Sequence, residues 1–282
     1  MITGIDKIFV ISLRERDDRR KSFDINFRDF NYEYVDAVHG QSLNISELVK
    51  QGVFSNIFKS PLTGICTKGV FGCALSHLGT WKRIKNSKFE KTLILEDDIF
   101  LESNIESIET AVSNADDIDD WDVIFLGKQT VNIYSPKDGF ENYKSYEKLI
   151  SNTPTDLIEM PYGAGFFAAH SYILSQSGVG KLLEFTKSGI NYPIDVFMEE
   201  MKKHGLKIYS TRRSLIRQKS HAVYDTAKKN KQKIDSDTWF NKREELKSLT
   251  LEVDFDLVKK VYIEKSDDNY LKDEPYVHMH LK

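Results

Sequence analysis

Cysteine, long hydrophobic runs and excess charge are all scarce in this sequence of 282 residues. Its two cysteines, Cys66 and Cys73, have no CxxC pattern or clustered histidines beside them, which favours buried small side chains over a metal pair. So few cysteines are also untypical of a secreted protein held by disulfides, and we expect a reducing compartment. The formal net charge of −3 lacks the strong basic excess of nucleic-acid-binding proteins, so no nucleic-acid partner is expected.

Apolar runs are short along the whole chain. None approaches the roughly 20 apolar residues that a membrane-spanning helix needs. The first such run meets charged residues instead of a small-residue cleavage site, which is unlike a signal peptide. We therefore expect a soluble, cytoplasmic protein. With 40% hydrophobic residues, the chain is long enough to bury a large core.

Apolar, β-branched segments alternate with amphipathic ones. Phe23, Phe27 and Phe30 lie at i, i+4 and i+7, which is typical of one apolar helix face. The alternation predicts an α/β fold with a mostly parallel central sheet and flanking helices. Strands are predicted at residues 7–13, 32–37, 92–95, 121–126 and 206–210, and helices at 14–30, 67–86, 105–114, 175–185 and 193–203; the apolar segment 165–173 leads into the fourth helix.

The composition changes near residue 221. Residues 1–225 are predicted to form one domain, and residues 226–282, rich in Lys, Asp and Glu, a charged C-terminal extension that is partly helical or disordered. Residues 129–157 are polar and poorly patterned, which indicates a long functional loop.

The most informative local pattern is LILEDDIF, in which a short apolar strand leads directly into Glu96, Asp97 and Asp98. In open α/β sheets, ligands bind beyond the carboxyl ends of the strands. Adjacent carboxylates repel one another and stay ionised only when a cation or hydrogen-bond donors compensate. Carboxylate oxygens suit Mg²⁺ or Mn²⁺, which can bridge a diphosphate. We predict that Asp98 binds such a metal directly, with Asp97 as a second ligand.

Two other interpretations of the cluster stay open. A solvated acidic turn that caps the next helix would need no ligand. A phosphatase of the aspartyl-phosphate type also begins after an apolar strand, but its usual pattern is DxDx[TV], whereas Asp98 is followed here by Ile99 and Phe100.

Five segments, in order and spread over about residues 7–221, resemble glycosyltransferase family 25, which includes bacterial lipooligosaccharide galactosyltransferases and collagen galactosyltransferases. They are VISLRERDDRR, KGVFGCALSHLGTWKRI, LILEDDIF, AAHSYILSQSGVGKLL and YPIDVFM. The matching positions after the first segment are Gly69, Gly72, Cys73, Leu75, Ser76, His77 and Trp81, then the LEDD run, then His170, Tyr172, Ser175, Gly178, Lys181, Leu182 and Leu183, and finally Pro193 and Asp195.

The resemblance implies a GT-A fold over residues 1–225, inversion at the anomeric carbon and a nucleotide-sugar donor, usually UDP-galactose, with glucose as another possibility. With Mn²⁺ or Mg²⁺ on Asp98, Glu96 and Asp97 would hold metal, ribose or donor sugar. The acceptor would be a glycan such as lipooligosaccharide, lipopolysaccharide or a glycoprotein glycan. A lipid-linked acceptor would bring the protein to the inner face of a membrane as a peripheral visitor. The chain departs from the family pattern at Val70, where the family usually has Glu.

Several further residues are predicted to bind the donor. Arg14 and Arg19 would hold the uracil ring or the diphosphate, because guanidinium pairs planar oxygen acceptors in a bidentate way; the alternative is a solvated helix face. Lys68 and Gly69 begin a helix whose free N–H groups favour anions, or they form an ordinary helix start. The remaining candidates are Ser76, His77 and His170, and each of the two histidines could equally be a buried structural residue.

An inverting transfer needs a carboxylate that takes the proton of the acceptor hydroxyl. Asp195 is the predicted base and Glu199, one turn further along the same helix, is the alternative. Asp195 could also cap the helix that begins after Pro193. His221 is a candidate for completing the metal shell.

Two competing functions stay open. A non-catalytic glycan-binding or scaffold protein could retain the same architecture, and Val70 and the unusual tail favour it. A nucleotidyltransferase would also place a metal near a diphosphate.

Overall fold

The computed structural model of this protein describes residues 2–58, 66–127, 129–130, 156–160, 166–167 and 169–218. Its strands are β1 (Lys7–Ser12), β2 (Tyr32–Asp36), β3 (Lys91–Glu96), β4 (Ile99–Leu101), β5 (Val123–Phe125), β6 (Gln129–Thr130), β7 (Leu157–Glu159), β8 (Phe166–Phe167), β9 (Ser171–Ser175), β10 (Ile208–Thr211) and β11 (Ile216–Gln218). Its α-helices are α1 (Asp17–Asn26), α2 (Ile45–Lys50), α3 (Lys68–Lys85), α4 (Ile105–Asp116), α5 (Gln176–Phe185) and α6 (Ile194–Met201), with short 3₁₀ turns at Gly40–Ser42, Thr186–Ser188 and Lys202–His204.

A seven-stranded sheet in the order β2-β1-β3-β9-β5-β10-β7 forms the centre of the molecule. β1 is parallel to both β2 and β3, and β5 is parallel to β10. β9 is antiparallel to β3 and β5, and β7 is antiparallel to β10. Five of these strands therefore share one direction, and the mostly parallel sheet predicted from the sequence is confirmed.

Alternate residues of β1 face opposite sides of the sheet, as the two-residue period of a strand requires. Phe9 and Ile11 pack into one core with residues of α3, α5 and α6. Ile8 and Val10 pack into a second core with residues of α1 and α4. Helices thus cover both faces, which confirms the α/β class that the resemblance associates with the GT-A fold.

Helix α1 is shorter than predicted, because it ends at Asn26 instead of residue 30. Phe23 and Phe27 are both fully buried and their rings stack at 4.3 Å, and Phe30 packs edge-on against Phe27 from the turn that follows. The apolar spacing therefore reflects the packing of the three rings in one core, and Phe30 belongs to that core although it lies beyond the end of the helix.

The strand β9 was not predicted, since its residues were interpreted only as an apolar lead into a helix. Its five residues lie between β3 and β5, with Leu95 opposite Ser171. β4 and β11 form a separate antiparallel pair next to the end of β3. Of the described helices, none is long and apolar enough to cross a membrane. The predicted boundary at 225, the charged extension 226–282, His221 and most of the loop 129–157 lie outside the described residues.

Candidate active site

Parallel pairing of β1 and β3 brings the ends of these two strands side by side. Ile11 lies opposite Glu96, so the next residues along, Ser12 and Asp97, are neighbours. The Ser12 hydroxyl donates to Asp97 Oδ2 at 2.7 Å, and Asp97 is only 5% exposed. As the sequence predicts, the acidic cluster Glu96–Asp97–Asp98 lies at the carboxyl end of a buried strand.

Two arginines of α1 face this strand end. Arg19 Nη1 lies 3.1 Å from Asp97 Oδ1 and 3.6 Å from Asp98 Oδ2, so one guanidinium serves two carboxylates. Arg20 Nε donates to the Ser12 hydroxyl at 3.0 Å, and its Nη2 donates to Asp36 Oδ1 at 2.7 Å. Arg19 therefore contacts the predicted cluster directly, and Arg20 contacts the Ser12 hydroxyl that donates to Asp97.

Gln218, at the end of β11, contacts the cluster from the other side. Its Nε2 lies 3.1 Å from Asp98 Oδ2, 3.2 Å from Asp98 Oδ1 and 3.4 Å from Glu96 Oε2. The antiparallel pairing of β11 with β4 sets this position, because Gln218 lies opposite Ile99, the residue directly after Asp98.

The cluster holds more negative charge than its neighbours neutralise. Burial, and then the charge of Glu96, raise the pKa of Asp98 to about 7. Burial also raises the pKa of Asp97, although Arg19 and the Ser12 hydroxyl act in the opposite direction. For Glu96, burial acts upward as well, but the hydrogen bond from His77 and the positive charge of Arg19 act in the opposite direction, and the pKa is lowered.

A divalent cation would supply the missing positive charge. Asp98 and Asp97 offer carboxylate oxygens, the hard ligands that Mn²⁺ and Mg²⁺ prefer. Burial and the charge of Glu96 raise the pKa of Asp98, and a cation bound there would stabilise its ionised form. The residues present therefore fit the predicted metal.

A second group of ligand atoms lies next to the first. The Cys73 thiol, a His77 ring nitrogen and a Glu96 oxygen lie within 4.8 Å of one another. Such a mixed set suits a softer ion such as Zn²⁺. Burial and the nearby charge of Glu96 raise the pKa of the Cys73 thiol well above its usual value. For Mn²⁺ or Mg²⁺ the carboxylate pair is the better candidate site, because its ligand atoms are all oxygens.

His77 is fully buried on α3 and faces the cluster. Its Nε2 lies 3.3 Å from Glu96 Oε1, and its Nδ1 lies 2.8 Å from the Tyr172 hydroxyl. Trp81, one turn further along α3, donates its Nε1–H to the same hydroxyl at 2.9 Å. The structure therefore places His77 in contact with Glu96 while also meeting the expectation of a buried, satisfied histidine.

Asp195 lies in the first turn of α6, after Pro193 at the N-cap. Its Oδ1 accepts from the Val196 N–H at 2.8 Å, so the carboxylate does bond the helix N-terminus without being the cap residue itself. Burial, Glu96 and then the charge of Asp195 raise the pKa of Cys73. The charge of Glu199 acts on Lys202, whose pKa burial lowers.

Lys68 and Gly69 begin α3 against a neighbouring loop. Lys68 Nζ lies 3.3 Å from the Leu43 carbonyl and 3.5 Å from that of Gln41. A Cβ at Gly40 would lie 2.8 Å from Gly69 N, so this loop covers the start of the helix. These contacts favour the alternative of an ordinary helix start over donor binding.

Ser76 and His170 are buried and have partners inside the fold. The Ser76 hydroxyl donates to the Gly72 carbonyl at 2.7 Å and accepts from the Val38 N–H at 2.9 Å. His170 Nε2 lies 3.2 Å from the Ile216 carbonyl, and burial lowers its pKa. The structural interpretation is thus favoured for Ser76. For His170 both interpretations stay open, because its buried Nδ1 has no hydrogen-bond partner among the described residues. The predicted donor-binding residue Arg14 is exposed in the loop between β1 and α1.

Sequence reasoning missed three side chains that define the cluster. Ser12 could have been found, because it ends the first buried strand and parallel strands end at a common edge. Gln218 carried no local signal, since its position depends on strand pairing across more than 100 residues. Tyr172 was noted only as a position that matches the family pattern, and its hydroxyl contacts His77 Nδ1.

The buried acidic cluster at the end of β3 lies where open α/β sheets bind their ligands. A model of glycosyltransferase family 25 (LPS biosynthesis protein) matches residues 5–198. That match covers more than half of the chain, so the chain belongs to glycosyltransferase family 25, which confirms the resemblance seen in the sequence.

Human proteins of this family show both active and inactive members. The chain is 29% identical over 213 residues to human procollagen galactosyltransferase 2, covering 73% of this chain and 32% of the relative. It is 30% identical over 205 residues to human inactive glycosyltransferase 25 family member 3, covering 70% of this chain and 32% of the relative. The chain thus spans about a third of the length of these relatives.

Among solved structures, the galactosyltransferase LgtC in complex with donor and acceptor sugar analogues aligns with 71% of this chain and 72% of its own, at 12% identity and a TM-score of 0.34. A TM-score this low supports no conclusion about the site.

Proposed function

We propose that this protein transfers a hexose, galactose or glucose, from a UDP-sugar to a hydroxyl of a glycan acceptor, with inversion at the anomeric carbon. The observation that carries the proposal is the convergence of three carboxylates with Arg19 at the end of β3, in a chain of glycosyltransferase family 25. The acceptor would be lipooligosaccharide, lipopolysaccharide or a glycoprotein glycan. If it is lipid-linked, the protein would act in the cytoplasm at the inner face of a membrane.

Asp98 and Asp97 would hold Mn²⁺ or Mg²⁺, with His221 as a candidate third ligand. When bound, the ion neutralises charge that develops on the departing diphosphate. Arg19 already contacts both carboxylates and would also face the phosphate oxygens. Arg14 is exposed nearby in sequence and is available to the uracil ring or the diphosphate.

Asp195 would act as general base. Its carboxylate takes the proton of the acceptor hydroxyl while the hydroxyl oxygen forms a bond to the anomeric carbon. The bond from that carbon to the diphosphate oxygen breaks in the same step, and its electron pair leaves with UDP. Glu96 would accept a hydrogen bond from the ribose or the donor sugar.

The direct test is a panel of UDP- and GDP-sugars, incubated with the protein with and without Mn²⁺, with release of the nucleotide measured. We expect release of UDP from UDP-galactose or UDP-glucose that depends on Mn²⁺ and is lost in Asp98→Asn. Asp120→Asn is the matched control, because Asp120 is exposed and its partner is Lys207. Release of UMP instead of UDP would indicate a nucleotidyltransferase, and equal activity in Asp98→Asn would refute the metal assignment.

A non-catalytic glycan-binding protein is the second candidate. The relative named as inactive, and Val70 in place of the usual Glu, favour it. Titration calorimetry with UDP, with and without Mn²⁺, separates the two candidates. Absence of UDP binding in both conditions would support the non-catalytic alternative, and Mn²⁺-dependent UDP binding would support the transferase.

A further inference from the structure

A hydrogen-bonded row of buried side chains lies behind Glu96. Trp81 Nε1 lies 2.9 Å from the Tyr172 hydroxyl, which lies 2.8 Å from His77 Nδ1, and His77 Nε2 lies 3.3 Å from Glu96 Oε1. Trp81, His77 and Tyr172 are all 0% exposed. Solvent therefore cannot replace any of these hydrogen bonds, and the proton arrangement along the row is set by the side chains themselves.

The chemistry of these groups determines which one donates and which one accepts at each hydrogen bond of the row. An indole N–H only donates, so the Tyr172 hydroxyl accepts from Trp81. An ionised Glu96 carboxylate only accepts, so in a neutral His77 ring the proton lies on Nε2, which is 3.3 Å from Glu96 Oε1. His77 Nδ1 is then bare and accepts from the Tyr172 hydroxyl at 2.8 Å. Each group thus donates towards the carboxylate.

We infer that Trp81, Tyr172 and His77 are positioning residues that fix one tautomer of His77 and thereby hold Glu96 in a single orientation, as an acceptor for a hydroxyl of the nucleotide sugar. This inference rests on the proposed function and assigns its donor contact to Glu96. Tyr172 and Trp81 act through His77 and do not touch the donor.

The Glu96 carboxylate can accept a further hydrogen bond from the nucleotide sugar. His77 Nε2 and the Cys73 thiol contact its Oε1, the thiol at 3.8 Å, and Gln218 contacts its Oε2 at 3.4 Å. An ionised carboxylate has about four acceptor sites, about two on each oxygen, so a lone pair stays available on Oε2. The Glu96 side chain is 21% exposed, whereas His77 behind it is fully buried. Its open side is therefore the side on which a sugar or ribose hydroxyl can donate.

The first experiment measures the tautomer without any need for activity. In ¹⁵N NMR spectra of the histidine-labelled protein, assigned with His77→Gln, we expect the neutral His77 ring to have its proton on Nε2 and a bare, hydrogen-bonded Nδ1. In Tyr172→Phe, which keeps the ring but removes the hydroxyl, we expect this preference to weaken. A wild-type ring with its proton on Nδ1 would overturn the inference and favour a metal held by Cys73, His77 and Glu96.

The second experiment measures the donor. Tyr172→Phe is expected to lower kcat/KM for the UDP-sugar about 10- to 100-fold, as loss of an orienting outer contact does at comparable sites. Affinity for UDP with Mn²⁺, measured by calorimetry, should stay close to wild type because Asp97 and Asp98 are unchanged. His77→Gln retains a donor towards Glu96 and should keep more activity than His77→Leu.

Thr92→Val is the matched control for the lost hydroxyl. Thr92 is fully buried in the same strand as Glu96, and its hydroxyl has no hydrogen-bond partner among the residues that the structure describes. Its kcat/KM should match wild type. Wild-type kcat/KM in Tyr172→Phe would refute the positioning role. If no UDP-sugar is turned over by the wild-type protein, the proposed function fails, and the NMR spectra still decide the tautomer.

Discussion

Three carboxylates that are adjacent in the sequence have three different surroundings. Asp97 is bonded by Ser12 and Arg19, Glu96 by His77, and Asp98 by the amide of Gln218 with Arg19 at a longer distance. The weakest compensation is at Asp98, and burial together with the neighbouring Glu96 charge raises its pKa to about 7. The same chemical group therefore has several hydrogen-bond donors at one position, and at another it has a raised pKa, where a bound cation would favour the ionised form.

This difference predicts how Mn²⁺ binding depends on pH. The pKa of Asp98 lies above its usual value of 3.8, so the folded protein retains a proton there that the unfolded chain releases. Between about pH 4 and about pH 7, the contribution of Asp98 to the free energy of unfolding therefore falls as pH rises. Mn²⁺ needs the ionised carboxylate. We expect the rise in Tm on adding Mn²⁺ to be larger near about pH 8 than near about pH 6.

Two variants check this prediction by thermal unfolding at both pH values. Asp98→Asn should lose the Mn²⁺ response and its pH dependence, whereas Asp120→Asn, in an exposed ion pair with Lys207, should keep both. A larger Mn²⁺ response at the lower pH would contradict the assignment of Asp98 as the ligand.

At the scale of elements, helix α3 is held against the loop that follows β2 by close backbone contact. A Cβ at Gly72 would lie 2.6 Å from the Val38 carbonyl and 2.9 Å from Gly40 N. The Ser76 hydroxyl, one turn along, accepts from Val38 N–H at 2.9 Å. Because the same helix carries Cys73 and His77 to the acidic cluster, this contact sets how far those side chains reach.

Replacing Gly72 with Ala should therefore destabilise the protein and disturb the site. Since the clashing atoms are backbone, we expect Gly72→Ala to lower the free energy of unfolding by about 1–3 kcal/mol, the usual cost of overpacking. Gly79→Ala is the matched control on the same helix, where a Cβ meets nothing within 4 Å. It should raise stability by about 0.5–1 kcal/mol. Urea unfolding of both variants measures this; equal effects of the same sign would contradict it.

The sequence predicts the elements better than their pairing. Local periodicity was enough to predict β1, β3 and helix α3, and the run Glu96-Asp97-Asp98 after an apolar strand was enough to predict the acidic cluster. The sequence could not show that β9 lies antiparallel between β3 and β5, because the pairing of β3 with β9 depends on residues about 80 positions apart. For the same reason, Gln218 and the Tyr172 hydroxyl were not predicted at the site.

At the scale of the whole molecule, the site is assembled from both halves of the matched region. β1 and β3 supply Ser12 and the carboxylates, and α6 supplies Asp195 about 100 residues later. The charges of Glu96 and Asp195, which lie on different elements, both raise the pKa of Cys73. In the proposed function, metal binding by Asp97 and Asp98 and deprotonation of the acceptor hydroxyl by Asp195 would thus belong to different elements.

Because the proposed base and the proposed metal ligands lie on different elements, we expect that turnover and donor binding can be lost independently. In Asp195→Asn, we expect kcat to fall by about 100- to 10,000-fold, the usual contribution of a general base, while UDP binding with Mn²⁺ stays close to wild type. Glu199→Gln is the matched comparison on the same helix, and its charge acts on Lys202 instead of Cys73. Turnover assays measure the loss of catalysis in each variant, and calorimetry measures its UDP binding.

If Glu199→Gln loses turnover and Asp195→Asn keeps it, the base is Glu199. If Asp195→Asn loses UDP binding as well, donor binding and proton removal are not separate, because a residue of α6 then contributes to binding of the donor.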